Sequence, residues 1–159
     1  MRILFDSKKE EFKSPFGTLT PGQECHLSIY VPESVGAKSV LCMLSHEDGT
    51  PAQEVTMTRQ DAKGVYDVFR GSFTLPDTGL YFYYFRVFKA SGSFRLYKQG
   101  DDTNMEEGEL WQVSCIPASF TTPDWAKGAV IYQVFPDRFY IIRELVCCYV
   151  VFLVFVSWD

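Results

Sequence analysis

The stretch that decides the fold is Asp77-Thr-Gly-Leu-Tyr-Phe-Tyr-Tyr-Phe-Arg-Val-Phe88. From Leu80 to Phe88 both alternating sets of side chains are apolar or aromatic. That predicts a strand at the centre of a sheet, covered on both sides, with its rings in a core. The five residues that open it, Asp77 to Tyr81, have the D-x-G-x-Y spacing of a tyrosine corner, in which the Tyr hydroxyl bonds back to upstream backbone. Working upstream, Phe73-Thr-Leu75 stops at Pro76-Asp77, and Val65 to Arg70 follows a turn at Asp61-Ala-Lys-Gly64. Before them come a polar-faced strand, Glu54 to Thr58, and an apolar one, Ser39 to Leu44, which ends at Glu47-Asp-Gly-Thr50. His26 to Val31 alternates, with Leu27, Ile29 and Val31 on one face, and Pro32 ends it. Downstream, Ser91-Gly92 turns the chain into Ser93 to Tyr97, and a polar loop, Gly100 to Gly108, precedes Glu109 to Val113. About eight short strands at roughly 8–12-residue spacing, without a convincing amphipathic helix, predict an all-β chain: an immunoglobulin-like antiparallel β-sandwich over residues 1–116. The disulfide pair of antibody domains is absent.

Composition narrows the function. Of 159 residues, 47% are hydrophobic and 22% charged, so the chain can build a core and is not a disordered one. Fifteen Lys and Arg against twenty Asp and Glu give a net charge of −5, and there is no basic run, which excludes nucleic acid as a partner held through its phosphates. Nine Tyr, fourteen Phe and three Trp make up 16% of the chain and suit a β-rich core, a stacking surface for sugars, or both. At the N-terminus only Ile3, Leu4 and Phe5 run apolar, against the ~7–15 residues of a secretory signal, so the expected location is cytoplasmic. Cys25, Cys42, Cys115, Cys147 and Cys148 are odd in number and lack CxxC spacing, and His26 and His46 complete no zinc pattern, so reduced, mostly buried thiols are expected. Asp101-Asp102 with Glu106-Glu107 lacks the spacing of a calcium loop and reads as a solvated acidic loop; no metal or cofactor is expected in this chain.

The character of the chain changes after the sandwich. Residues 117–128 read as a linker with a short helical turn: Thr122 as N-cap, Pro123 as first helical residue, Gly128 as the stop. Residues 129–140 hold Ala129-Val-Ile-Tyr-Gln-Val-Phe135, nearly all apolar, as a strand buried on both faces of a parallel sheet would be. Residues 141–159 form an apolar tail. Its uninterrupted run, Leu145 to Val156, spans ~18 Å as a helix, against a ~30 Å hydrocarbon core, so a membrane anchor is not expected.

Thr122-Pro-Asp-Trp-Ala-Lys-Gly-Ala-Val-Ile-Tyr-Gln-Val-Phe-Pro-Asp-Arg-Phe139 resembles the lead-in to the catalytic (β/α)8 barrel of α-amylase-family enzymes (glycoside hydrolase family 13), of the neopullulanase, maltogenic amylase and cyclomaltodextrinase group. In that group a β-sandwich of about this length precedes the barrel, its last strand carries a Trp-Gln pattern like Trp111-Gln112, and barrel strand one follows a linker. Residues 79–85 also match. The resemblance implies a parent that hydrolyses α-1,4 and α-1,6 glucosidic bonds in maltodextrins, cyclodextrins or pullulan. It also implies calcium in some full-length members, and a sandwich that binds α-glucans in some and builds a homodimer in others. It stops after Phe139 or Tyr140, where the family has an Asn/Asp/Gly-rich loop and this chain has Ile141-Ile-Arg-Glu-Leu145. Three readings of the tail follow: a membrane-associated segment, an element that covers the strand 129–135, or, fitting the abrupt change best, sequence read in another frame. An uncovered barrel strand would also drive self-association.

The family's nucleophilic Asp, acid/base Glu and third Asp sit on later barrel strands, so no residue here takes a catalytic role. A retaining glycosidase needs two carboxyl groups ~5–5.5 Å apart, drawn from several strand ends, and the strand 129–135 is followed by Asp137 alone, which reads as a turn residue beside Arg138. The expected function is therefore a non-catalytic N-terminal fragment of an α-glucan-degrading hydrolase, with a stand-alone α-glucan-binding module or a dimerising domain as alternatives. Tyr30, Tyr66, Tyr97 and Trp111 are the carbohydrate-binding candidates, as aromatics outside the strand 80–88 that, if exposed, offer a flat ring to the C–H face of a pyranose; Trp111 reads also as a seal of the sandwich against its linker, and Trp125 as a wedge in the linker turn.

Overall fold

The computed structural model describes residues 2–134 and 152–156. They contain strands and two single 3-10 turns and no α-helix, so no helix among them is long and apolar enough to cross a membrane. The chain divides into two compact units, residues 1–118 and 119–159.

The first unit holds β1 (Lys13–Ser14), β2 (Glu24–Pro32), β3 (Ala37–His46), β4 (Pro51–Lys63), β5 (Tyr66–Thr74), β6 (Gly79–Lys89), β7 (Gly92–Gln99), β8 (Asp102–Asn104) and β9 (Trp111–Cys115). All named pairings are antiparallel, in the order β1-β2-β5-β4-β3-β6-β7-β8, with β9 on β6. The strand β4 makes this a sandwich. Its first half pairs with β3 through Met57, and its second half pairs with β5 from Thr58 onward. A strand that changes partners along its length turns the corner between two packed layers. One layer is β1-β2-β5 with the second half of β4. The other is the first half of β4 with β3, β6, β7, β8 and β9.

The alternation predicted for 26–31 holds: Cys25, Leu27, Ile29 and Val31 are all buried. Two segments expected as separate strands, 65–70 and 73–75, are one strand, because Gly71 carries β5 past Met57 where no larger residue fits: a Cβ there would lie 2.8 Å from the Met57 sulfur and 3.1 Å from the Thr56 carbonyl oxygen. Part of the loop expected at 100–108 is β8, paired with β7. A 3-10 turn at Glu33–Val35 joins β2 to β3 and closes on Gly36, whose φ of 64° is the left-handed conformation glycine adopts freely.

The core lies between the layers and is centred on rings. Phe5, from the N-terminal segment, meets Phe85 at 4.7 Å and Trp111 at 5.0 Å between centroids, and also touches Phe12 and Tyr83, each edge-on. Such pairs contribute about 0.5–1.5 kcal/mol each beyond the area they bury. The tyrosine corner is present: the Tyr81 hydroxyl donates to the Asp77 carbonyl oxygen at 3.1 Å. Tyr81→Phe should lower stability by about 1 kcal/mol, seen as a lower urea midpoint at unchanged slope; an unchanged midpoint would remove the corner from the list of stabilising contacts.

One expectation for the deciding stretch is corrected. The strand β6 is central within its layer but not covered on both sides. Tyr81, Tyr83, Phe85 and Val87 face the core, whereas Leu80, Phe82, Tyr84 and Phe88 are half-exposed and Arg86 is exposed. The sandwich has two layers, so only one face of each strand has a partner layer to bury it.

In the second unit a 3-10 turn spans Asp124–Ala126, with Pro123 rather than Thr122 at its N-cap and no side chain capping it. Proline at 123 sets an extended conformation (φ −52°, ψ 140°) at that position and so delays the first helical residue to Asp124. Val130–Val134 forms β10, as the sequence predicts for this segment. It is not an orphan: it pairs with β11 (Phe152–Val156) in antiparallel register, Val130 opposite Val156 and Val134 opposite Phe152. The partner expected in a barrel is parallel; here the partner is an antiparallel segment of the tail. Asp137, Arg138, Phe139, Tyr140, Cys147 and Cys148 lie outside the described residues.

Candidate functional site

The four aromatic candidates fall on four strands and are not brought together. Tyr30 on β2 is 8% exposed; its ring packs edge-on to Phe12, its hydroxyl donates to Glu11 at 2.9 Å, and the Lys63 ammonium lies 5.1 Å from the ring centroid. Burial, reinforced by the Glu11 carboxylate, raises its pKa, while hydrogen bonds from Lys63 and Tyr30 lower that of Glu11. Trp111 on β9 is 2% exposed and lies in the ring cluster around Phe5. Neither ring presents a free face: β9 turns Trp111 to the core side with Val113 and Cys115, whereas Tyr30, opposite in parity to Ile29 and Val31, is covered from outside its strand by Phe12 and Glu11, which corrects the exposure expected of it. Tyr66 on β5 is half-buried against the core. Tyr97 on β7 is the candidate that stays on the outer face, half-exposed.

Around Tyr97 the outer face of β6 and β7 holds a cluster that the sequence reading passed over. Tyr84 lies beside Tyr97, the two rings near-parallel at 23° with centroids 6.4 Å apart. The Arg95 guanidinium sits 5.1 Å from the Tyr84 ring centroid, and that of Arg86 sits 5.0 Å from the Phe88 centroid. Arg86 and Arg95 are directly opposite in the β6–β7 register. The Arg86 Nε donates to Ser93 Oγ at 3.2 Å, and a hydrogen bond with Tyr97 raises the Arg95 pKa. Cation–π contact and hydrogen bonding fix both planar groups on the sheet surface. The signal for this face was present in the sequence: Arg86 is the one charge in Leu80–Phe88, and its parity marks residues 82, 84 and 88 as outward-facing.

A shallow groove of about 610 Å³ lies where β4 passes between the layers and is lined by His26, Ser28, Thr56, Thr58, Arg70 and Ser72 among others. Its charge is already spoken for, since Arg70 pairs with Asp61 at 3.0 Å. The acidic residues Asp101 and Asp102 pair with Lys8 and Arg2, and no group of three metal-ligating side chains occurs among the described residues. Cys25, Cys42 and Cys115 are buried free thiols, as expected; burial pushes the Cys25 thiol up to about 11 and that of Cys42 further.

Comparison with known proteins gives these surfaces a setting. No family model matches the chain. It is 28% identical over 152 residues to an amylopullulanase of Thermoanaerobacterium saccharolyticum, covering 87% of this chain and 12% of that protein. It is 26% identical over 147 residues to an amylopullulanase of Thermoanaerobacter thermohydrosulfuricus, covering 87% of this chain and 10% of the relative. The chain thus spans about a tenth of the length of these relatives. A 20-residue segment is 80% identical to neopullulanase 2 of Thermoactinomyces vulgaris. Among solved structures, a cyclomaltodextrinase superposes with a TM-score of 0.52 at 20% identity, covering 85% of this chain and 23% of that one, which supports the fold. The chain is thus similar over most of its length to a short stretch of amylopullulanases, and its sandwich has the fold of part of a cyclomaltodextrinase.

Proposed function

We propose that the chain is a non-catalytic N-terminal portion of an α-glucan-degrading hydrolase, whose remaining length carries the cleavage of α-1,4 and α-1,6 glucosidic bonds. The observation that carries this reading is the match of 87% of the chain to 12% of an amylopullulanase, by residues that fold as a β-sandwich. The carboxylates of the sandwich support it. Asp67, the buried one among the described residues, is tied to Arg59, and several exposed ones pair with Lys or Arg across the surface. Hydrolysis with retention asks for a protonated and an ionised carboxyl flanking one bond. The purified chain, incubated with pullulan, soluble starch and cyclodextrin, is expected to release no reducing sugar; release above a blank would overturn the reading.

A second role, holding α-glucan, is favoured by the Tyr84–Tyr97 pair, whose near-parallel rings form an aromatic surface on a rigid two-strand support. In native gels, soluble starch should retard the chain, and Tyr97→Ala should remove most of that retardation. Unchanged mobility of the parent chain would discard glucan binding, and a defined oligomer in the same gels would support a dimerising role.

A further inference from the structure

The described residues include five arginines. Three pair with aspartates: Arg2 with Asp102, Arg59 with Asp67, and Arg70 with Asp61. Arg86 and Arg95 have no carboxylate partner among the described residues, and they face each other across β6 and β7. Their row continues through Leu41 on β3 to Thr56 on β4, with no acid in it. Like charges directly opposite in an antiparallel pair repel. In a chain where acids outnumber bases twenty to fifteen, two adjacent guanidiniums left without a counter-charge are best satisfied by an anion from outside.

The geometry narrows the anion. Each guanidinium is already held over a ring, by Phe88 for Arg86 and by Tyr84 for Arg95, and Arg86 also donates to Ser93. An arginine has five N–H donors, so both forks keep donors to spare in fixed orientations. A carboxylate has two oxygens and is satisfied by one fork. A phosphate monoester carries three acceptor oxygens and nearly two charges, enough to bridge two forks. Tyr84 and Tyr97 adjoin the pair and offer ring surface to whatever carries the phosphate.

We propose that Arg86 and Arg95 form a binding site for a phosphate monoester borne on an α-glucan, with Tyr84 and Tyr97 contacting the sugar beside it. The inference rests on the glucan-binding reading above and adds to it a preference for phosphorylated chains.

Titration calorimetry on the full chain tests it with four probes: a maltodextrin, the same maltodextrin phosphorylated, glucose 6-phosphate and inorganic phosphate. The phosphorylated maltodextrin is expected to bind at least about tenfold tighter than the neutral one. Arg86→Gln with Arg95→Gln should bring the ratio of the two affinities to about one; both residues are exposed, and circular dichroism confirms the fold. Arg70→Gln, on the other layer, should change nothing. The preference should shrink in about 0.5 M salt and below pH ~6, where the phosphate loses its second charge. Equal affinity for the two maltodextrins overturns the inference and leaves glucan binding standing. Binding of the phosphorylated chain alone supports the site and removes neutral glucan as a ligand. Inorganic phosphate binding as tightly as the phosphorylated chain reduces the pair to an adventitious ion site and overturns the inference, and binding of none of the four removes both readings.

Discussion

Phe5→Ala is expected to remove about 3–5 kcal/mol of stability, read as a large fall in the urea midpoint. Phe5 comes from the segment ahead of the first strand, yet it is 3% exposed and touches Phe12, Tyr83, Phe85 and Trp111. Truncation leaves a ring-sized void between the layers, and the surrounding rings cannot collapse into it because strands β6 and β9 fix their backbones. Total stabilities of small domains are about 5–15 kcal/mol, so the variant stands close to unfolding. Phe5→Leu, which keeps most of the volume, should cost about 1 kcal/mol and stay folded. A midpoint for Phe5→Ala within experimental error of the parent would show that residues 2–6 do not belong to the core.

Alkaline solution should produce the second large effect. Unfolded thiols titrate near 9.0, whereas burial raises Cys25 to about 11 and Cys42 beyond it. Above pH 9 the unfolded chain therefore binds fewer protons than the folded one, so stability present below pH 9 is lost as pH climbs toward 11. Cys25 alone accounts for about 2 kcal/mol by pH 11, and Cys42 acts in the same direction. Lys13 works the other way: burial lowers its pKa, so the folded state gains as pH rises toward 10.5. It is a single group opposed by two thiols and by the buried Tyr83, whose pKa is also pushed well up by burial. Urea titrations between pH 7 and 11 in reductant should show the falling limb, and replacing Cys25 and Cys42 with alanine should flatten it. An equally steep limb in that double variant would place the proton release elsewhere.

The sequence carried the sandwich because turn residues punctuate it and because β2 alternates cleanly; the corner motif at Asp77 to Tyr81 located the start of the central strand. The strand 80–88 looks apolar on both faces because aromatic residues line both, and only Arg86 marks the outer one. Tyr84 and the arginine pair take their meaning from a cross-strand register that no linear pattern displays. Tyr30 is buried for the converse reason: a ring on a strand is assigned to surface or core by what it meets, and Phe12, which covers it, lies in another segment of the chain. In β8 the polar stretch Asp102-Thr-Asn104 forms a strand by pairing with β7, although its composition resembles a loop.

The N-terminal segment has one more implication. Thr103 donates to the Ile3 carbonyl oxygen across 100 positions, and Leu19 lies alongside Cys115 near the end of the same unit. Contacts this distant must wait for the whole intervening chain, and their closure is slow. During synthesis Ile3 and Phe5 leave the ribosome well ahead of the partners they meet on β6, β8 and β9. Until those strands follow, Phe5 is a greasy side chain without most of its berth, and that interval is when a chaperone has most to hold.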